Sequence, residues 1–299
     1  MTGTVAAIEA SDFVMRNWTA GETGPVRIGS PEHLRMFAQM LLDTHNPYKP
    51  AVIDWPKLEP DALARVTSLP IWDIAVQTEG RASIRVKTFA ASVEEPLLRQ
   101  ALELDADEEA RHKVVLSKLV EAYGVKLAPE PDYPAPKHAV WAWLVTGYSE
   151  CIDSFFAFGL FETARRSGFF PEELIETFEP VIQEEARHIL FFVNWVAWRR
   201  RNLPVWRRLT FRLTEIAVWA FLIYERIGIA RGLDEAGEMQ DANFAMQGSS
   251  AIGVDLSPAE LIDLCLAEND RRMAGYDKRL LRPTLTPALA RFARRFLKP

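Results

Sequence analysis

The sequence predicts an all-α protein whose centre is a four-helix bundle of two antiparallel hairpins joined by a long crossover. Three observations carry this expectation. Helix start and stop signals divide the chain cleanly, no segment shows convincing strand alternation, and the connectors between the central helices are short, long and short in turn. At 299 residues the chain can bury a large core. It reads as a single domain, 1–299, with an N-terminal helical or irregular segment 1–69, a four-helix core 70–201 and a C-terminal helical extension 202–299.

Each element follows from local signals. Ser30-Pro31 supplies an N-cap and a first-turn proline for a helix ending near Asn46-Pro47. The proline-rich stretch from Pro50 to Pro60 reads as a connector. Ser68-Leu69-Pro70 opens the first core helix, which runs to about Ala91. Ser92-Val93-Glu94-Glu95 has the spacing of a capping box, so the second core helix starts there and continues to Tyr123-Gly124. The third spans about Lys137 to Arg166 and stops at Ser167-Gly168, where glycine can adopt a left-handed terminus. The fourth opens at Pro171-Glu172-Glu173, with acids in the first turn where the helix dipole favours them, and ends near Arg201. Beyond Pro204 a further helix runs from Val205 to Arg231, and shorter ones follow at 257–275 and 286–297.

The connectors set the topology. The first and second core helices are joined by almost nothing and the third and fourth by a few residues, so each pair is expected to be an antiparallel hairpin. Val125 to Pro136 separates the hairpins and holds four prolines. Extended at roughly 3.1 Å per residue, it spans roughly 35 to 40 Å, the length of a core helix. It can therefore return the chain along the whole bundle.

Composition excludes several function classes. A net charge of −6 disfavours general nucleic-acid binding. Two cysteines, Cys151 and Cys265, are too few for a disulfide framework, a CxxC zinc site or a four-thiolate iron centre. The N-terminus lacks a basic start followed by an apolar run, and the apolar run Ile216 to Tyr224 is far shorter than a membrane span. The expectation is a cytoplasmic protein.

The chemistry resides in a pentapeptide that occurs twice, as Glu108-Glu109-Ala110-Arg111-His112 and Glu184-Glu185-Ala186-Arg187-His188. Each contains Glu-x-x-His, which places a carboxylate and an imidazole on one helix face. Such oxygen and nitrogen donors, without thiolate, suit iron or manganese. Glu79 is the lone acid between Asp73 and Glu94, on a helix rich in Ile, Val, Ala and Phe. Such a carboxylate is costly in a core unless paired or bound to a cation. The third core helix offers Glu150 and Asp153, of which the longer Glu150 reaches the bundle axis more easily. The expected metal ligands are thus Glu79, Glu109, His112, Glu150, Glu185 and His188. Asp153, as partner of a ligand imidazole, and Arg111 and Arg187 are supporting candidates. Four carboxylates balance two divalent ions.

This pattern resembles the ferritin-like di-iron carboxylate superfamily, in which Glu, Glu-x-x-His, Glu and Glu-x-x-His come one element per core helix with a crossover between the halves. The resemblance covers roughly Pro70 to Arg201. It implies a ferritin-like bundle holding two iron ions (manganese or a mixed pair fit the same donors) and an oxidoreductase that activates dioxygen or peroxide, possible substrates including small organic molecules. Ferroxidase, peroxide-scavenging or iron-handling activity is the alternative, and a metal-free helical binding protein a weaker one. With no rubredoxin-like cysteine set, electrons would come from a separate donor. The histidine found four residues before the last Glu-x-x-His in arylamine N-oxygenases is replaced by Val181.

The remaining features read more plainly. Arg111 and Arg187 could instead make surface ion pairs with each Glu-x-x-His, and His33, His45 and His138 read as ordinary surface residues. Cys151 reads as a small core residue. Between Trp195 and Arg212 six arginines and no acids interleave with tryptophan, and Arg291, Arg294, Arg295 and Lys298 lie beside Phe292 and Phe296. A solvated helix end with inward tryptophans is the favoured reading, and a peripheral membrane contact the other. Tyr224-Glu225-Arg226 could approach the metals.

Overall fold

The computed structural model describes residues 4–51, 55–230 and 256–297. These residues form ten α-helices: α1 (Val5–Arg16), α2 (Pro31–Asp43), α3 (Pro60–Ser68), α4 (Trp72–Ala90), α5 (Pro96–Ala122), α6 (Ala139–Arg166), α7 (Glu172–Asn202), α8 (Val205–Ala230), α9 (Pro258–Met273) and α10 (Leu285–Arg294). Among the described residues the only β contact is an isolated bridge between Trp18 and Tyr276. The expected helix end at Arg231 and the residue Lys298 lie outside them.

Most boundaries fall where the caps place them. The Ser30 hydroxyl accepts from His33 N at 3.2 Å to start α2, and Gly168 takes φ +66° to end α6. Two helices were not expected. α1 has no first-turn proline and is capped by Thr4. α3 begins at Pro60, which is a first-turn proline and not the end of a connector. The capping box at 92–95 does not form. Ser92 instead donates to Phe89 O at 2.7 Å, finishing α4. The Glu95 carboxylate caps α5 through Leu98 N, because Pro96 fixes the first turn one residue later.

Helices α4 to α7 are packed side by side. α4 runs antiparallel to α5: Ser83 Oγ donates to Ala106 O at 2.9 Å, while Val86 and Phe89 share a core with Leu98 and Ala101. α6 runs antiparallel to α7, with the Trp143 ring 5.4 Å from that of Phe192 at one end and Ala164 in one cluster with Leu174 at the other. Gly147 permits this approach, since a Cβ there would lie 2.2 Å from the Phe192 ring. The connector between α5 and α6 returns along α4 and α5. Ala128 N donates to Asp73 at 2.7 Å, Glu130 pairs with Lys113 at 2.5 Å, and Lys113 Nζ lies 5.4 Å from the centre of the Tyr133 ring.

The N- and C-terminal helices share this core. α2 packs on both α5 and α7, and α9 on α6 and α7. Arg272 of α9 is fully buried, paired with Glu179 of α7 at 2.9 Å and lying 5.3 Å from the Phe158 ring centre. Trp143, Phe89, Phe192 and Trp195 form an aromatic cluster at one end of α4, α6 and α7. Truncating a buried tryptophan of this kind costs about 3–5 kcal/mol. Cys151 and Cys265 are buried and unpaired, and burial pushes both thiols up. No described helix is long and apolar enough to cross a membrane.

Candidate metal centre

Both pentapeptides lie mid-helix, one in α5 and one in α7. Consecutive helical residues point about 100° apart, so each motif presents two neighbouring faces. The second Glu and the His face the bundle interior, while the first Glu and the Arg face the seam between α5, α7 and α2.

The two motifs hold each other reciprocally. His112 Nε2 lies 2.8 Å from Glu184 Oε2, and His188 Nε2 lies 2.8 Å from Glu108 Oε2. Each of these glutamates is in turn held by the arginine of the opposite motif. Arg111 donates to Glu184 at 2.6 Å, and Arg187 to Glu108 at 3.1 and 3.2 Å. The end of α2 completes this layer. Arg187 also donates to Leu41 O and Thr44 Oγ1, both at 2.7 Å, Arg111 to Asn46 O at 2.8 Å, and His45 Nδ1 lies 2.7 Å from Glu108 Oε1. Burial alone would raise the Glu108 carboxyl, but Arg187, His188 and His45 hold it well below the usual range.

With Nε2 occupied by a carboxylate, Nδ1 of each imidazole turns inward. His112 Nδ1 is 3.3 Å from Glu185 Oε1 and 3.5 Å from Glu79 Oε2. His188 Nδ1 is 2.9 Å from Glu109 Oε1 and 3.7 Å from Asp105 Oδ1. Glu79, Glu109, His112 and Glu185 offer ligand atoms all within 4.8 Å of one another, as do Asp105, Glu109 and His188. Glu109 belongs to both groups. His45, Glu108 and Glu184 also cluster, but their facing atoms are engaged by the arginines and the ligand imidazoles, so we read this group as the supporting layer.

Two observations show that the donor set fits metal. His112 Nδ1 and His188 Nδ1 are buried and face carboxylate oxygens, of Glu185 and Glu79 in the first case and of Glu109 and Asp105 in the second, a concentration of buried acid that costs free energy unless a cation meets it. The acids also crowd one another. Burial, with the charges of Glu185 and Glu79, raises Glu109 well above the carboxylate range. Burial, with Glu185 and Asp105, does the same to Glu150. Asp105 is pushed up to about 6 by burial, against the pull of His188.

The sequence-predicted residues are placed as follows. Glu79, Glu109, His112, Glu185 and His188 fall within these two groups. Glu150 lines the same cavity from α6, close enough to Glu185 to be raised by its charge but outside both tight groups. Asp153 does not orient an imidazole. It is bound by Arg226 of α8 at 2.7 Å and by Ser149 at 2.8 Å, so Arg226 reaches the cavity wall while Tyr224 is exposed. Arg111 and Arg187 are not surface partners but belong to the supporting layer, and Arg187 is fully buried. The supporting roles of Glu108 and Glu184, and the proximity of Asp105, were not anticipated. Repetition of the whole pentapeptide, beyond Glu-x-x-His, was the available signal. His33 and His45 are likewise not surface residues: His33 is buried against Asn194 at 2.9 Å, and His45 touches the site. His138 is exposed as expected.

The acids open onto a cavity of about 210 Å³. Glu79, Glu109, Glu150 and Glu185 form one wall, and Trp72, Leu116, Phe161, Phe170, Phe178 and Val181 contribute apolar walls. The fold and site define an all-helical protein with a buried Glu/His cluster able to bind metal. Comparison with known proteins returned no matching family model, no matching curated protein and no matching solved structure.

Proposed function

We propose that this chain is a ferritin-like di-iron oxidoreductase that uses dioxygen or peroxide to oxidise a small, largely apolar organic molecule. The reciprocal pairing of the two pentapeptides carries the reading, because it aims both Nδ1 lone pairs and the shared Glu109 at one interior volume. His112 with Glu79 and Glu185 would hold one ion, His188 with Glu150 the other, and Glu109 would lie between them. Asp105 is a further donor beside His188. When bound, two iron ions supply the electrons for reducing dioxygen or peroxide and positions at which the oxidant can be held.

The chain's own residues do the rest. Glu108 and Glu184 fix the imidazole orientation, which leaves Nδ1 as the donor and raises its basicity. The aromatic and aliphatic walls bind an apolar group by excluding water and keep it beside the acids. Arg226 neutralises Asp153 on that wall, so the uncompensated negative charge is confined to the metal end. Electrons would come from a separate donor, since two buried thiols on different helices do not form a relay cluster.

The apolar cavity favours organic oxidation over iron handling. Metal analysis of protein purified without chelator should give two irons per chain, with an absorption spectrum that changes on reduction and on exposure to oxygen. Glu185→Ala should abolish stoichiometric loading, and two equivalents retained by that variant would refute the site. Iron turnover by a very large assembly, without consumption of any apolar substrate, would assign the site to iron handling.

A further inference from the structure

Outside the candidate metal centre, α8 presents a long apolar face to solvent among the described residues. Its inner side, formed by Phe211, Glu215, Val218, Leu222 and Glu225, is buried. The opposite side carries Trp206, Leu209, Leu213, Ile216, Ala220 and Ile223, separated alternately by three and four residues. This repeat makes a continuous stripe about 26 Å long. The stripe is open to solvent, Trp206 at 68%, Leu209 at 65%, Leu213 at 57% and Ile216 at 64% exposure, with Val205 and Tyr224 exposed at its ends. An outward helix face normally carries mixed charge. Here both acids of α8, Glu215 and Glu225, are turned inward, and the outward charges are arginines.

Those arginines are concentrated at one end. Arg201, Arg207 and Arg212 make no ion pair among the described residues. The Arg207 guanidinium lies 4.7 Å from the Trp206 ring centre, and the charge of Arg207, added to burial, lowers Arg199. A groove of about 480 Å³ opens among Arg200, Arg201, Arg208, Arg212 and Leu209. In a chain of net charge −6 this is a segregated cationic patch on an apolar face.

We propose that the outer face of α8 docks on an anionic lipid surface. The stripe would sink into the headgroup–acyl boundary and the arginines would meet phosphate oxygens. Such interfacial helices insert roughly 5–10 Å and combine apolar burial with attraction to anionic lipid. A second copy of this chain is the other candidate occupant, and charge argues against it. Paired α8 faces would desolvate the arginines with no exposed acid of either α8 to meet them, whereas an anionic bilayer supplies both the apolar layer and the negative charge. Since no described helix can cross a membrane, the association would be peripheral.

The test is flotation of the full chain with vesicles of phosphatidylcholine alone and of phosphatidylcholine mixed with phosphatidylglycerol. Binding is expected only to the mixed vesicles, weakening as salt is added. Replacing Arg207 and Arg212 together by Gln should weaken partition roughly fivefold per arginine. Replacing Leu209 and Ile216 together by Ser, on a solvent-exposed face, should reduce it at least tenfold with helical content unchanged. Failure to bind mixed vesicles would overturn the proposal, as would binding indifferent to the Ser substitutions, which would reduce the contact to charge attraction. A wild-type dimer made monomeric by Ile216→Glu, without vesicle binding, would assign the face to a second copy.

Discussion

The α5 and α7 halves of the candidate metal centre start from the same five residues and end in different surroundings. In α5 the residue four positions before the ligand glutamate is Asp105, buried and 3.7 Å from His188. In α7 the corresponding position is Val181, which lines the cavity. The arginines differ as well. Arg187 is enclosed completely, while the Arg111 side chain retains 23% exposure. Identical motifs thus give a pseudo-symmetric inner cluster within an asymmetric frame, acidic on the His188 side and apolar toward the cavity. Local sequence sets the donors, and the neighbouring turns and α2 set their inequivalence.

This contrast can be broken experimentally, starting where the effect is largest. Arg187→Met leaves the Glu108 charge buried without its guanidinium, and should cost about 3–5 kcal/mol of unfolding free energy in metal-free protein. Arg111→Met should cost only about 1–2 kcal/mol, because water can reach the vacated place. Equal losses in urea titrations of the two variants would show that the halves are supported alike.

At the level of metal binding, Glu184→Gln should weaken the ion beside His112 by about 10–100-fold, and Glu108→Gln the ion beside His188 by a similar factor. Calorimetric titration should then find one strong and one weak equivalent in each variant. Loss of both equivalents from either single change would mean that the two positions cannot be separated. Asp105→Asn should touch only the His188 position, weakening it several-fold, and an effect on both ions would make Asp105 a shared group. The smallest change is Ser154→Ala, which removes a 3.3 Å hydrogen bond to Glu185. A hydroxyl donating to a carboxylate contributes about 1.5–3 kcal/mol at best, and at this length it falls at or below the low end, so metal affinity should fall no more than about tenfold. A complete loss of loading would give Ser154 a larger role than its geometry allows.

How much of this was legible in the sequence depended on whether the signal was local. Glu-x-x-His spacing and the lone acid Glu79 are properties of single helices, and they lead directly to residues that converge. The crossover could be read because proline fixes an extended path whatever the neighbours do. By contrast, His45 and Asn46 follow α2 in a stretch that looks like surface, and only docking of α2 on α5 and α7 turns their polar groups toward Glu108 and Arg111. The same applies to Glu108 and Glu184, whose chemical identity is evident but whose partners lie on the opposite motif. Asp153 shares a face with Glu150 and so reads as an imidazole partner, yet Arg226 of α8 claims it. Pro60 is ambiguous in sequence because one residue type both ends connectors and begins helices.

Reciprocity has a consequence for how the protein comes to exist. Neither pentapeptide can orient its own histidine, since the carboxylate that does so belongs to the other helix. A nascent or clipped chain ending before α7 would present His112 with its outer nitrogen unanchored, and would lack the arginine that secures Glu108. If the cluster binds metal as proposed, tight uptake would wait until both motifs have been synthesised and brought together, and an unfinished polypeptide would not hold the ion.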